Sequence, residues 1–175
     1  MTRTPGRNPW IDSFTRYMDE QEYGEKWTLN FNYNLQPYLE GDQKAKGWKV
    51  YQTSSFGRFE CHCSNSWSSA HVVILFHYRL RRNRGLVLLR LFKQSCRYCV
   101  YNAELKPQVN HNQMQNVFNR LIFKIRKNCY RETVEEVERD LRYRKTKPHE
   151  TSLCEACHLG ICRNKVDVVD NTSYQ

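Results

Sequence analysis

The sequence of 175 residues is long enough for one ordinary domain with a core of its own, and a second domain would be cramped. Its 39% hydrophobic and 13% aromatic residues exclude a disordered polyelectrolyte, while the mean hydropathy of -0.82 indicates a thin core and a wet surface. The formal net charge of +10 suits an acidic partner, namely nucleic acid, anionic lipid headgroups or an acidic protein face, or else describes only a solvated basic surface.

The residues that follow Met1 lack the apolar run of a secretory signal, because charged residues such as Asp12 and Arg16 interrupt the first apolar positions. We therefore expect a cytoplasmic chain, whose cysteines bind metal rather than form disulfides in the reducing cytosol. The best uncharged run, residues 61–78, contains three histidines and several serines and is too polar to cross a bilayer. The sequence predicts no transmembrane segment and leaves only peripheral association with a membrane.

The first quarter of the chain predicts a helix followed by extended segments. Apolar residues at helical spacing predict an amphipathic helix that opens the domain and is capped near Asn8. The strict alternation of apolar residues over residues 27–33 predicts a strand. The polar residues 41–47 predict a loop, after which a second extended stretch begins at Trp48.

Two apolar runs in the middle of the chain predict a β-hairpin. Residues 69–80 and 86–92 are rich in β-branched and large apolar side chains, and a polar link with Asn83 and Gly85 separates them. That link is typical of a hairpin turn. The expected fold class is α+β, with a small antiparallel sheet that carries zinc-ribbon-like knuckles.

The last third of the chain changes to a helical period. An apolar stripe over residues 112–130 predicts a long helix, and Thr133 is placed to cap a shorter helix that ends in the basic residues 142–148. We expect one zinc-binding domain over residues 10–165 and a frayed tail over residues 166–175.

The eight cysteines occur largely in pairs. The C-x-x-C spacing lets a tight turn aim two thiolates at one ion about 2.3 Å away, and C-x-C can do the same with more strain. The C-x-x-C pairs are Cys96/Cys99 and Cys154/Cys157, and the C-x-C pair is Cys61/Cys63. The two remaining cysteines are Cys129, at the end of the predicted long helix, and Cys162.

Hairpin geometry groups these cysteines into two predicted zinc sites. The strands of the hairpin leave the first pair and return to the second, so the two knuckles finish at the same end. The predicted first site is Cys61, Cys63, Cys96 and Cys99, and the predicted second site is Cys129, Cys154, Cys157 and Cys162, with His158 as the substitute if Cys129 is only a small buried residue. We expect two structural Zn²⁺ ions.

The sequence predicts a protein that is not an enzyme. Neither C-x-x-C pair opens a helix after a strand as in a redox dithiol, and closed thiolate sites hold structural rather than catalytic zinc. The sequence also lacks the zinc-deaminase pattern, a phosphate loop and a G-x-S-x-G elbow.

Several blocks resemble the receptor-transporting proteins, the three-CxxC zinc finger family, over roughly residues 10–162. The blocks are Gly57-Arg-Phe-Glu-Cys61, Trp67-Ser-Ser-Ala-His-Val-Val-Ile-Leu-Phe-His77, Leu91-Phe-Lys-Gln-Ser-Cys-Arg-Tyr-Cys99 and Cys154-Glu-Ala-Cys-His-Leu-Gly-Ile161, with Gly47-Trp48-Lys49 and Cys129-Tyr130 in the same order.

The resemblance implies a chaperone-like accessory protein that binds G-protein-coupled receptors, notably odorant and taste receptors, and promotes their trafficking to the plasma membrane. It implies a place at the cytosolic face of the endoplasmic reticulum or plasma membrane. The family's cysteine pairs carry over as the three pairs above and its helix-end cysteine as Cys129, although Cys61 and Cys63 form C-x-C where the family has C-x-x-C.

The alternative function is RNA binding, which the related zygote arrest proteins perform with similar fingers. Two basic runs provide the charge, one at the hairpin tip and one over residues 139–147, with Tyr78 and Tyr143 as candidates for base stacking. The simpler interpretation of both runs is a solvated turn and a solvated helix end. The candidate nucleic-acid residues at the tip are Arg79, Arg81, Arg82 and Arg84.

Overall fold

The computed structural model describes residues 7–100, 103–135 and 148–162. These residues divide into two compact units. The first comprises residues 7–51, 76–90 and 111–135, and the second comprises residues 52–75, 91–100, 103–110 and 148–162. In chain order the elements are α1 (Pro9–Glu20), β1 (Lys26–Phe31), α2 (Gly41–Ala45), β2 (Lys49–Glu60), β3 (Ser66–Arg81), β4 (Arg84–Leu91), β5 (Gln94–Ser95), β6 (Glu104–Leu105), α3 (His111–Asn128), a 3-10 turn (Thr151–Leu153) and α4 (Glu155–His158).

The two longer helices pack together in the first unit. Asn8 caps α1, because its side-chain oxygen accepts a hydrogen bond from the amide of Trp10 at 3.0 Å, as the sequence predicted. The buried face of α1 sets Trp10 and Phe14 against Phe118 of α3, with ring centroids 5.5 and 5.6 Å apart. Helix α3 buries the predicted apolar stripe, which is Met114, Val117, Phe118, Leu121, Ile122 and Ile125.

A four-stranded sheet runs in the order β1-β4-β3-β2, and β2, β3 and β4 contribute residues to both units. The predicted hairpin is present, with a two-residue turn at Arg82 and Asn83, whose φ angles are 51° and 59°. Positive φ at both positions is the type I′ geometry that matches the twist of a hairpin. The α+β class is confirmed.

Two local predictions differ from the structure. Strand β1 pairs parallel to β4, from Lys26 opposite Arg84 to Phe31 opposite Leu89, so the sheet is mixed rather than wholly antiparallel. Apolar alternation shows which face of a strand is buried but not the direction of its neighbour. The polar segment predicted as a loop contains α2, which buries no residue and is held by a capping box between Glu40 and Gln43.

The second unit contains β5 and β6, which pair antiparallel with Gln94 opposite Leu105. Its core includes Phe59, whose ring stacks on that of Trp67 with centroids 5.2 Å apart. Most of the predicted helix after Thr133, the basic residues 139–147, Tyr143 and the tail 166–175 lie outside the described residues. Within the described ranges, no helix combines the length and apolar character that crossing a membrane requires.

Candidate metal centre

The C-x-C pair forms a tight turn directly after β2. The amide of Cys61 donates to the carbonyl of Asn65 at 2.9 Å, and the amide of Ser64 donates back to the carbonyl of Cys61 at 3.0 Å. Ser64 takes the left-handed conformation with φ 69°. This reversal lets Cys61 and Cys63 present both sulfurs on one side, although only one residue separates them.

The turn brings these sulfurs to Cys96, which follows β5. The Sγ atoms of Cys63 and Cys96 lie 3.6 Å apart, and the Sγ atoms of Cys61, Cys63 and Cys96 all lie within 4.8 Å of one another. The neighbouring thiol of Cys99 is near enough to help raise the pKa of Cys61. Two sulfurs on one tetrahedral zinc, each about 2.3 Å from the metal, are about 3.8 Å apart. Three of the four predicted ligands, Cys61, Cys63 and Cys96, therefore lie together with a spacing that fits Zn²⁺, and Cys99 is not part of this group.

Hydrogen bonds around these sulfurs favour a thiolate at one position. Burial raises the pKa of Cys96, but the backbone amide of Tyr98, the side chain of Asn65 and the neighbouring thiols outweigh it and lower the pKa to about 7. The backbone amide of Cys63 lowers the pKa of Cys61, whereas burial and the hydrogen bonds that the Cys61 thiol donates to the other sulfurs raise it to about 11. Neutral thiols thus support one anionic sulfur, and a bound cation would deprotonate the others.

A second group of donors forms around α4. Cys154 precedes the helix and pairs with Gln94 in an isolated antiparallel bridge, while Cys157 lies within α4. Gly160, with φ 71°, reverses the chain after the helix so that Cys162 returns beside it. His149 approaches from the segment before the 3-10 turn, and the four donor atoms all lie within 4.8 Å of one another.

The histidine faces the sulfurs through one ring nitrogen. Nε2 of His149 lies 3.3 Å from Sγ of Cys157 and 3.6 Å from Sγ of Cys162. A tetrahedral zinc with Zn–N about 2.05 Å and Zn–S about 2.3 Å separates such atoms by about 3.6 Å. Burial lowers the pKa of His149 and the nearby His71 lowers it further, which favours the neutral imidazole that a metal needs.

Burial has the opposite effect on the thiols of this group. Burial raises the pKa of the Cys154 thiol. Burial and the negative charge of Cys154 both raise the pKa of the Cys157 thiol. Several thiolates in one buried place repel one another unless a cation compensates them. A Cys₃His donor set of this size fits Zn²⁺, which thiolate and imidazole ligands bind in structural sites.

The fourth donor is where sequence and structure differ. Cys129 belongs to neither group. Its amide continues the helical bonding of α3 by donating to Ile125 at 2.8 Å, and burial raises its pKa. His158 points its Nε2 to the carbonyl of Ser152 at 2.9 Å. Sequence reasoning missed His149, although its place five residues before Cys154 was a usable signal.

The candidate nucleic-acid residues lie around the β3–β4 turn, where Arg81, Arg82 and Arg84 are exposed. The guanidinium of Arg79 instead covers the ring of Trp48, 4.5 Å from its centroid. Tyr78 is buried and accepts a hydrogen bond from the side-chain amide of Asn128 at 2.8 Å, so it offers no face for a base.

The protein-family comparison matches this part of the chain. A family model described as a zinc-binding domain, the 3CxxC zinc ribbon, covers residues 54–160. That range contains the first group of cysteines and all members of the second group except Cys162. The match supports zinc as the metal of this domain.

Relatives with curated names extend the similarity beyond the zinc ribbon. Receptor-transporting protein 2 of Mus musculus is 31% identical over 157 residues, which are 87% of this chain and 69% of the relative. The chain belongs to the receptor-transporting protein family.

Other members of the receptor-transporting family match over a similar part of the chain. Receptor-transporting protein 3 of Mus musculus is 36% identical and receptor-transporting protein 4 of Homo sapiens is 34% identical, each over 87% of this chain. The chain spans only 33% and 63% of the lengths of these two relatives. No solved structure matches the chain.

Proposed function

We propose that this chain is a zinc-stabilised accessory protein that binds G-protein-coupled receptors of the odorant or taste type and promotes their trafficking to the plasma membrane. The observation that carries the proposal is the similarity, over most of the chain, to proteins named receptor-transporting. The chain acts at the cytosolic face of the endoplasmic reticulum or plasma membrane, where its basic charge suits acidic surfaces.

The role of the metal is structural. The second donor group supplies four ligands, and the first supplies three sulfurs, to which we add Cys99 as the proposed fourth ligand. A closed tetrahedral set of this kind leaves no open position for a substrate. When bound, Zn²⁺ neutralises the buried thiolates and ties chain segments together. The cysteine and histidine ligands then hold the turn at Cys61, the turn at Cys96 and helix α4 in fixed positions. The chain therefore works by binding and not by catalysis.

Coexpression with receptors tests this function. Epitope-tagged odorant and taste receptors are expressed with and without the chain, and surface levels are measured by antibody labelling of intact cells. We expect a rise for at least one receptor and its loss with Cys96→Ser, which removes a donor of the first group. Cys129→Ser is the matched control, because Cys129 belongs to neither group. Surface levels that do not change for any receptor would contradict the proposal.

Three exposed arginines support RNA binding as a second candidate function. Arg81, Arg82 and Arg84 flank or occupy the tight turn, so their charges lie close together at the surface. If they contact phosphates, replacing all three with Gln lowers the affinity for a single-stranded RNA and reduces the slope of log K against log salt by about 2. An affinity independent of salt, or no binding, would exclude this candidate.

A further inference from the structure

A cavity of about 310 Å³ lies in the second unit beside both cysteine groups. Three segments supply its walls: residues 65–71 at the start of β3, residues 94–98 around Cys96, and residues 148–153, which include His149. Its volume falls at the lower end of the ~300–1,000 Å³ range of ligand pockets. It is therefore large enough for one bulky side chain with its flanking backbone.

A chain of hydrogen bonds holds one wall of the cavity. Trp67 Nε1 donates to Oε1 of Gln94 at 2.9 Å, and Nε2 of Gln94 donates to Oγ of Ser69 at 3.1 Å. The same hydroxyl oxygen accepts from the amide of His71 at 3.1 Å. The ring of Phe59 stacks on the indole of Trp67 and holds it in place. These polar groups are bonded to one another, so the wall is formed before any ligand arrives.

The charged groups of the lining pair with each other. Among the described lining residues, the guanidinium and the carboxylate belong to Arg97 and Glu150, and these two side chains form an ion pair. A charged ligand would have to compete with the existing ion pair, whereas an uncharged ligand would not. The ion pair between Arg97 and Glu150 therefore disfavours a charged ligand.

One large, exposed aromatic residue lies at the cavity. Tyr98 lines the cavity and is 69% exposed. A large apolar side chain that is left in water at the mouth of a cavity is typical of a protein-binding site. A peptide segment that entered the cavity would cover Tyr98 as well.

We propose that this cavity binds one large uncharged side chain, aromatic or branched aliphatic, from an extended peptide segment on the cytosolic surface of the receptor. The inference rests on the proposed function and names the contact through which it operates. The side chain packs against Trp67 and Leu153, and the flanking peptide covers Tyr98. Because the immediate neighbours of Cys96 and the second-group residue His149 line the walls, the contact depends on both groups being assembled.

The first test fills the mouth of the cavity. Ser68 is exposed and lines the cavity, so Ser68→Trp introduces a bulky ring there with little effect on the core. The control is Thr15→Trp, at an exposed position on α1. With zinc content and circular dichroism unchanged, we expect Ser68→Trp to return receptor surface levels to those of cells without the chain. The control is expected to keep the wild-type level, and equal activity of both variants would overturn the proposal.

A second test measures binding without a receptor. The wild-type chain is titrated with the capped tripeptides Ac-Gly-Phe-Gly-NH₂ and Ac-Gly-Leu-Gly-NH₂, while the indole N–H signal of Trp67 is followed by NMR and assigned with Trp67→Phe. We expect a saturable shift with a Kd of about 1–10 mM, as befits a single contact. The Glu and Lys analogues are expected to bind at least several-fold more weakly.

The outcomes separate the two proposals. If the apolar peptides bind but the wild-type chain never raises receptor levels, the proposed function fails and the cavity proposal loses its receptor partner but keeps its ligand class. If the chain raises receptor levels but the apolar peptides give no shift, or bind no better than the charged ones, the cavity proposal is wrong. The titration decides the question even if Ser68→Trp fails to fold.

Discussion

Nε2 of His149 lies 3.3 Å from Sγ of Cys157, which places an imidazole where a fourth cysteine was expected. This contact changes the second donor set from four cysteines to three cysteines and one histidine. The exchange also leaves Cys129 as a half-buried residue directly after α3. The two possible donor sets differ in which substitution removes a ligand, and the zinc content of the variants measures this directly.

Removing His149 is expected to weaken the second site. The chain should purify with two zinc ions, and His149→Ala should lose about one of them or hold it far more weakly, since one of four ligands is gone. Zinc per chain is measured by mass spectrometry of the purified protein after dialysis. Cys129→Ser and His158→Ala are the controls and should both retain two ions. Loss of an ion from Cys129→Ser with none from His149→Ala would restore the all-cysteine set.

A side chain at Gly85 is expected to destabilise the first unit. Gly85 lies opposite Trp27 in the parallel pair, and a Cβ there would come within 1.9 Å of Cδ2 of that indole. Because Trp27 is buried, Gly85→Ala must displace the ring, and we expect a loss of about 1–3 kcal/mol in the free energy of unfolding. Denaturant unfolding at fixed free zinc measures the change.

Gly24→Ala is the matched control for Gly85. A Cβ at Gly24 meets no heavy atom within 4 Å, so the free energy of unfolding should change little. Equal effects of the two substitutions would show that the close approach of Trp27 does not determine the need for glycine at position 85.

The hydroxyl of Tyr130 is expected to contribute to stability through two hydrogen bonds. It accepts from Nε1 of Trp27 at 2.9 Å and donates to Oε2 of Glu25 at 2.9 Å, while the ring stacks on Tyr23 with centroids 4.0 Å apart. Tyr130→Phe keeps the ring but leaves both partners unpaired, which should cost about 1–3 kcal/mol of unfolding free energy. Tyr38→Phe, at a residue 58% exposed, should change it by less than about 0.5 kcal/mol. A loss no larger than that of the control would contradict this role.

The buried histidine of β3 is expected to make stability depend on pH. Nε2 of His77 lies 2.8 Å from the carbonyl oxygen of Gln36, and burial lowers the pKa of the ring below its usual 6.5. Because the unfolded chain protonates first, the contribution of His77 is fully present above pH 6.5 and is lost as the pH falls towards the folded pKa. Denaturant unfolding at several values between about pH 7.5 and pH 5 measures this slope.

The variant His77→Gln isolates the contribution of this ring. Its free energy of unfolding should fall less steeply with decreasing pH than that of the wild type, because one titrating group is gone. His111→Gln, at an exposed position, should keep the wild-type slope. Other groups titrate in the same range, including the metal ligands, so the difference between the variants is the informative quantity. Identical slopes for wild type and His77→Gln would contradict the assignment.

Local patterns determined much of this protein from the sequence alone. The helical period placed α1 and α3, and the cap at Asn8 was readable because its partner is two residues away. The hairpin predicted that Cys61 and Cys63 meet Cys96, since the two strands of a hairpin must end side by side. Each of these features depends on contacts near in sequence or on one short connection.

Only the tertiary structure decided the features that depend on distant residues. The parallel pairing of β1 with β4 joins segments more than fifty residues apart, and no alternation pattern encodes its direction. The choice of His149 over Cys129 likewise depends on where two separate segments arrive in space, because any cysteine or histidine has the chemistry to bind zinc. The cysteine spacing therefore determined that this protein binds metal, whereas packing decided which side chain completes the second site.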